Sequence, residues 1–209
     1  SALRTEWLAA GRTLDRTTAI QIGKTWREFG NRDVKTERST QRYVIGMEGG
    51  FEALSRKFNW DWYAQFGKTT GSTTSYNIPN LARVQQAVDA INVGGQIVCA
   101  DPVARAAGCV PWDLVNGPSQ ASVLWANGFS YTDQEVKQTV VAANIATDLF
   151  ELPAGPVGFA MGAEYRKDTG EAIVDDEQRR GNIYGFNAVQ NIAGSINVKE
   201  AYGEIRVPI

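Results

Sequence analysis

The stretch "PVGFAMGAEYRKD", residues 156–168, decides the fold. Val157, Phe159, Met161, Ala163 and Tyr165 occupy one set of alternate positions, and Gly158, Ala160, Gly162, Glu164, Arg166 and Asp168 occupy the other. Period two is the mark of a strand, here with one apolar face and one small or charged face. A face that meets bulk water has little need of alternating glycines, whereas the crowded polar interior of a barrel does.

Immediately upstream, "EVKQTVVAANIATDLFEL" sets Val141, Ala143, Ile145, Thr147 and Leu149 against Ala142, Asn144, Ala146 and Asp148. "PAGP" at 153–156 then predicts a long hairpin with a tight turn, each arm long enough to cross a bilayer at a slant. In "FNWDWYAQFGKT", residues 58–69, Phe58, Trp60, Trp62, Ala64 and Phe66 alternate with Asn59, Asp61, Tyr63, Gln65 and Gly67. Its two tryptophans beside a turn suit an interfacial aromatic belt, and equally suit ordinary sheet core. The preceding "QRYVIGMEGGF" is expected to pair with it through Gly49 and Gly50, with Tyr43, Ile45 and Met47 on its apolar side. A less regular strand is predicted over 18–29, with Ile20, Ile22 and Trp26 sharing a face with Lys24 and Glu28. "VKEAYGEIRVP" supplies a last strand, with Ala201, Gly203, Ile205 and Val207 against Glu200, Tyr202, Glu204 and Arg206.

These six strands divide the chain into a loop end at 1–17, three strands over 18–74, a long loop over 75–132, and three strands over 133–209 with a second loop at about 169–195. The long loop is far above the usual connection length, and it carries helix signals. Leu81, Val84, Val88 and Ile91 form a helical stripe, and Ser119 is a cap before Val123, Leu124 and Trp125. Because successive strands run antiparallel, both long connections emerge on one side, the asymmetry of outer-membrane barrels. Six strands cannot close where the smallest such barrels have eight, so a larger barrel is expected.

No run of 18 apolar residues exists, which excludes an ordinary membrane helix and leaves barrel strands untouched. Ser1 opens no charged and apolar leader, as after removal of a signal peptide or inside a longer polypeptide. A formal net charge of -2 and no strongly basic segment argue against nucleic acid as a partner. Cys99 and Cys109 are too far apart for a CxxC pair, and a local disulfide in an oxidising compartment is expected, two free buried thiols being the alternative.

With no histidine in the chain, the commonest general base and zinc ligand are missing, and neither a phosphate loop nor a dinucleotide fingerprint is present. No catalytic, cofactor or metal site is assigned, and no enzyme is expected. The acids Asp175, Asp176 and Glu177 suit a solvated loop, while Asp61 and Glu164 suit pairing on a barrel interior with arginines such as Arg166 or Arg206. Tyr76, Trp112, Trp125 and Tyr131 could stack on a sugar or aromatic chelator, and Arg179 and Arg180 could attract an acidic ligand. Two other classes share some of these features: a secreted β-rich binding or adhesion module, and a β-sandwich carbohydrate-active enzyme with two opposed carboxylates.

The segments "WREFGNRD", "FNWDWYAQFGKTT", "NIPNLARVQQAVDAI", "IVCADPVARAAGCVPWDLVNG", "PSQASVLW", "LPAGPVGFAMGAEYRKD" and "NVKEAYGEIRVPI" occur in an order and spacing that cover most of the chain. Together they resemble the barrel region of TonB-dependent outer-membrane receptors, with "LPAGPVGFAMGAEYR" the strongest element. The resemblance implies a 22-strand barrel in the outer membrane, filled by a plug domain and energised through the TonB complex. It implies uptake of a scarce ligand such as an iron chelate, cobalamin or carbohydrate. Plug sequence and a TonB-contacting box are not recognisable here, so this chain is expected to be a fragment of such a receptor.

Overall fold

The structure, a computed structural model, describes residues 27–209. The expected loop end at 1–17 and most of the strand expected over 18–29 lie outside the described residues. Of that strand, Arg27–Phe29 is described, and it is a single 3-10 turn.

Five long antiparallel strands form one sheet: β1 (Asp33–Ala53), β2 (Arg56–Pro79), β5 (Asn127–Leu152), β6 (Gly155–Val174) and β7 (Ile192–Arg206), side by side in that order. They have 21, 24, 26, 20 and 15 residues, against about 5–6 in an ordinary globular strand. The mainly β, antiparallel expectation therefore holds. Among the described residues the sheet is open, with β1 and β7 at its edges.

Two tight turns lie at one end. Pro153 and Ala154 join β5 to β6, as "PAGP" predicts, while β1 turns into β2 at Leu54 and Ser55 rather than at the glycines. Both turn residues have positive φ, 52° and 56°, the conformation a two-residue hairpin loop demands so that its twist matches the strands. Gly49 and Gly50 instead sit inside β1 opposite Trp60 and Asn59, where a Cβ on Gly49 would lie 2.8 Å from the Trp60 ring. The glycine makes room for an indole. A bulge at Leu149 interrupts the predicted alternation, because Asp148 pairs with Gly158 and Phe150 with Val157.

The long connections leave the other end, and the strands run further into them than the hydrophobic pattern suggests. They occupy 80–126 and 175–191 in place of 75–132 and 169–195. The first holds α1 (Leu81–Val88), a hairpin of β3 (Ala90–Val93) and β4 (Gln96–Cys99), α2 (Pro102–Ala106) and α3 (Gln120–Ala126). The second holds α4 (Asp176–Arg179). Both predicted helices are present, and Ser119 caps α3 by accepting from the Ser122 N–H. Ile91, assigned to the helical stripe, belongs to β3 because α1 stops at Val88.

The hydrophobic cluster of the described residues is in this loop region: Phe29, Val84, Ala87, Trp112, Val123 and Ala126. Among the described residues no second layer covers the sheet, and Tyr43, Ile45, Met47 and Ile205 are each about 60% exposed on it. No described helix is long and apolar enough to cross a membrane, which says nothing of strands.

Candidate functional site

The two long loops are joined by buried polar groups at the end of the sheet. Asn80, 4% exposed, caps α1 by accepting from the Arg83 N–H and donates its own amide to Glu177 Oε2 at 2.8 Å. Asn182 donates to the same oxygen at 3.0 Å. Main-chain bonds from Leu81 to Asn182 and from Tyr184 to Pro79 close the contact. The Asn80 bond, with help from Asn182 and Arg180, holds the Glu177 carboxyl below the usual range despite partial burial.

A second junction centres on Asp175, 6% exposed. One of its oxygens caps α4 by accepting from the N–H groups of Glu177 and Gln178, and the other accepts from Ser130 Oγ at 2.6 Å and the Tyr131 N–H at 3.2 Å. Every strong acceptor position is used, so this carboxylate is structural. It is not the solvated loop acid that its sequence neighbourhood suggests.

Cys99 and Cys109 are disulfide-bonded, with Cα atoms 6.3 Å apart. The bond ties the β3–β4 hairpin to the segment after α2, next to the Trp112 cluster that Cys109 touches.

The residues expected to face a ligand are dispersed. Trp112 is only 4% exposed and packs on Phe29 with ring centroids 5.8 Å apart, so it is loop core rather than binding surface. Trp125 packs against the same cluster beneath the Arg83 guanidinium, 5.5 Å from its ring centroid. Tyr76 is 44% exposed on β2 opposite Asp33. Arg179, the last residue of α4, and Arg180, just after it, pair with Asp176 and Glu177 of that helix. Tyr131 lines a hollow of about 300 Å³, together with Asn80, Arg83, Phe129, Asp175 and Glu177.

The side of the sheet that carries Asp61 and Glu164 is polar and linked across strands. Asn144 donates to Asp61 at 2.7 Å, and Tyr202 donates to Asn144 at 2.8 Å. Higher up, Arg42 bonds Gln65, Gln65 bonds Gln138, and Gln138 bonds Asp168. Glu164 does pair with Arg166, at 3.7 Å, whereas Asp61 is served by an amide rather than an arginine. Among the described residues no group of histidine, cysteine or carboxylate side chains could hold a metal ion. In comparisons with known proteins, the chain matches no protein-family model and no curated protein.

Proposed function

We propose that this sheet is a wall segment of an outer-membrane receptor barrel that takes up a scarce ligand, its apolar face toward lipid and its polar face toward the lumen. The observation that carries the reading is a line of lysines across the apolar face. Lys68 on β2 pairs directly with Lys137 on β5; Lys167 on β6 lies one same-face position nearer the tight turns, and Lys199 on β7 one further. The line drops four residues over three strand steps. At about 3.3 Å per residue and 4.8 Å per strand, that is a slant of about 40°, the tilt at which barrel strands cross a bilayer. Lysines spaced so would lie at one depth.

Below that line the face is apolar as far as the tight turns. Along β2 it is bounded by Lys68 and Arg56, about 40 Å along the strand and about 30 Å across a bilayer at that slant. Tyr43, Phe66 and Tyr165 border the upper edge, and Phe51, Phe58 and Phe159 the lower, as interfacial aromatic girdles do. A secreted binding module would share the disulfide but would leave this face against water.

The partners of such a wall are outer-membrane lipid, the remaining barrel strands with a plug domain, and the TonB complex acting through the whole receptor. The small-molecule ligand would enter past the interlocked loops. The test is a spin label placed singly at residues 159–165 of the intact protein in bilayers. Contact with a lipid-phase quencher at Phe159, Met161, Ala163 and Tyr165, but not at Ala160, Gly162 and Glu164, is the expected result. Quenching at neither set removes the membrane reading.

A further inference from the structure

The hollow of about 300 Å³ where the two long loops meet has a fixed frame. Asn80, Asp175 and Glu177 tie α1, β5 and α4 together around it, and Ile183 beside them is 1% exposed. The carboxylates of that frame are already engaged. Asp175 accepts from Ser130, Tyr131, Glu177 and Gln178, and Glu177 accepts from Asn80, Asn182 and Arg180.

Other groups on the lining are not. Arg83 donates through Nη1 to the carbonyls of Trp125 and Asn127, and no described acceptor takes its Nη2 or Nε. Asn127 uses its Oδ1 on the Gly128 N–H, and neither its Nδ2 nor the Tyr131 hydroxyl bonds a described residue. Asp176 binds Arg179 through Oδ1, and no described donor reaches its Oδ2. Phe129 adds an aromatic ring that is 54% exposed.

We infer that this hollow binds a neutral saccharide, with one sugar ring seated against Phe129. As the class of ligand taken up, this deepens the receptor reading and rests on it. Charge argues against an ion: an anion drawn to Arg83 would lie beside three carboxylates, and a cation drawn to those would meet Arg83, Arg179 and Arg180. An apolar guest fares no better, because it would strip water from Arg83 and the Tyr131 hydroxyl without replacing the lost hydrogen bonds. Sugar hydroxyls carry no charge and both donate and accept, so they can accept from Arg83 and Asn127 while donating to Asp176. The sugar ring also has a face of C–H groups, whose weakly positive hydrogens suit the negative face of an aromatic ring. Size sets the limit. A volume of about 300 Å³ is at the bottom of the range for small-molecule sites, room for a single ring rather than a whole metal chelate.

Saturation-transfer NMR on the intact protein in phospholipid nanodiscs, which bring no glycan of their own, tests the inference. The probes are neutral hexoses, deoxyhexoses, N-acetylhexosamines and their disaccharides, with the matching uronic acids. A neutral member should bind more tightly than its uronic acid, with transfer concentrated on ring C–H protons. Phe129→Ala should weaken that binding about tenfold and Phe129→Trp should restore it. Hydrogen exchange in 176–184 should keep its wild-type rate in both variants, as an intact frame requires. Binding by no neutral sugar, tighter binding of the uronic acid, or binding that Phe129→Ala leaves unchanged overturns the inference. Lipid contact at Phe159 and Met161 is read separately: its presence without sugar binding would leave the barrel reading standing, and sugar binding without it would remove the barrel and keep the site.

Discussion

Tyr202 on β7 lies across the bare backbone of Gly162 on β6, and its hydroxyl reaches past it to donate to Asn144 on β5 at 2.8 Å. Directly paired positions bring Asp61, Asn144, Gly162 and Tyr202 into one row, so a glycine on β6 is what allows three polar side chains from β2, β5 and β7 to connect. A Cβ on Gly162 would lie 2.6 Å from Tyr202 Cε1 and closer still to Asn144 Oδ1. Gly162→Ala should therefore cost about 1–3 kcal/mol in urea unfolding of the intact protein. Combined with Tyr202→Ala its added cost should shrink, since contacting residues are non-additive by about 0.5–3 kcal/mol. Strict additivity would mean that the ring does not cover the glycine.

Asn80 holds the two long loops together. Asn80→Ala removes a helix cap and leaves Glu177 with one amide partner fewer, at an expected cost of about 1–2 kcal/mol, read as faster hydrogen exchange in α1 and in 176–184.

Acid should loosen the same junction. The folded-state pKa of Glu177 lies below its ordinary value, chiefly through Asn80, so its contribution is present above the unfolded value of about 4.3 and is lost as pH falls through the folded value. Hydrogen exchange in 176–184 should quicken below about pH 4 after correction for intrinsic rates. Glu177→Gln should flatten that dependence.

Breaking the disulfide should affect the hairpin that it anchors. Replacing Cys99 and Cys109 by serine removes a short covalent loop worth about 3 kcal/mol in the chain-entropy account, and should raise exchange in 90–99 while leaving β5 and β6 protected. Intact mass after thiol blocking provides the independent check: no alkylated cysteine without reductant, and two with it.

The Leu54–Ser55 turn can be improved. Both residues hold left-handed backbone, which costs L-residues roughly 1–2 kcal/mol each, and Leu54 is 86% exposed. Changing the pair to Asn-Gly should stabilise the intact protein by about 1 kcal/mol or more.

On the proposed membrane reading, the two faces of β6 should answer unequally to a change of charge. In bilayers Met161→Arg should cost about 2–4 kcal/mol near the midplane, while Glu164→Gln should cost less because its Arg166 contact at 3.7 Å is long and about a third exposed. Equal penalties in urea unfolding would count against opposed environments.

What the sequence determined by itself is local. Alternation in 157–165 and 141–147 depends only on successive residues pointing to opposite sides, so strand, face and the β5–β6 hairpin could be read directly. The Ser119 cap and the disulfide were legible because their partners lie within ten residues or so. Gly94–Gly95, with Ile91 and Val93 before it and Ile97 and Val98 after it, did signal the short β3–β4 hairpin, and the helical stripe drawn through Ile91 hid it. Tertiary structure decided the rest. The purpose of Gly49 depends on Trp60 across the ladder, and the place of Trp112 in the core depends on Phe29, more than eighty residues earlier. Asn80 and Glu177 are 97 residues apart, and nothing in either neighbourhood names the other. Their meeting follows from strand pairing that brings both loops to one end of the sheet, a relation set by register across the whole chain rather than by any window of it.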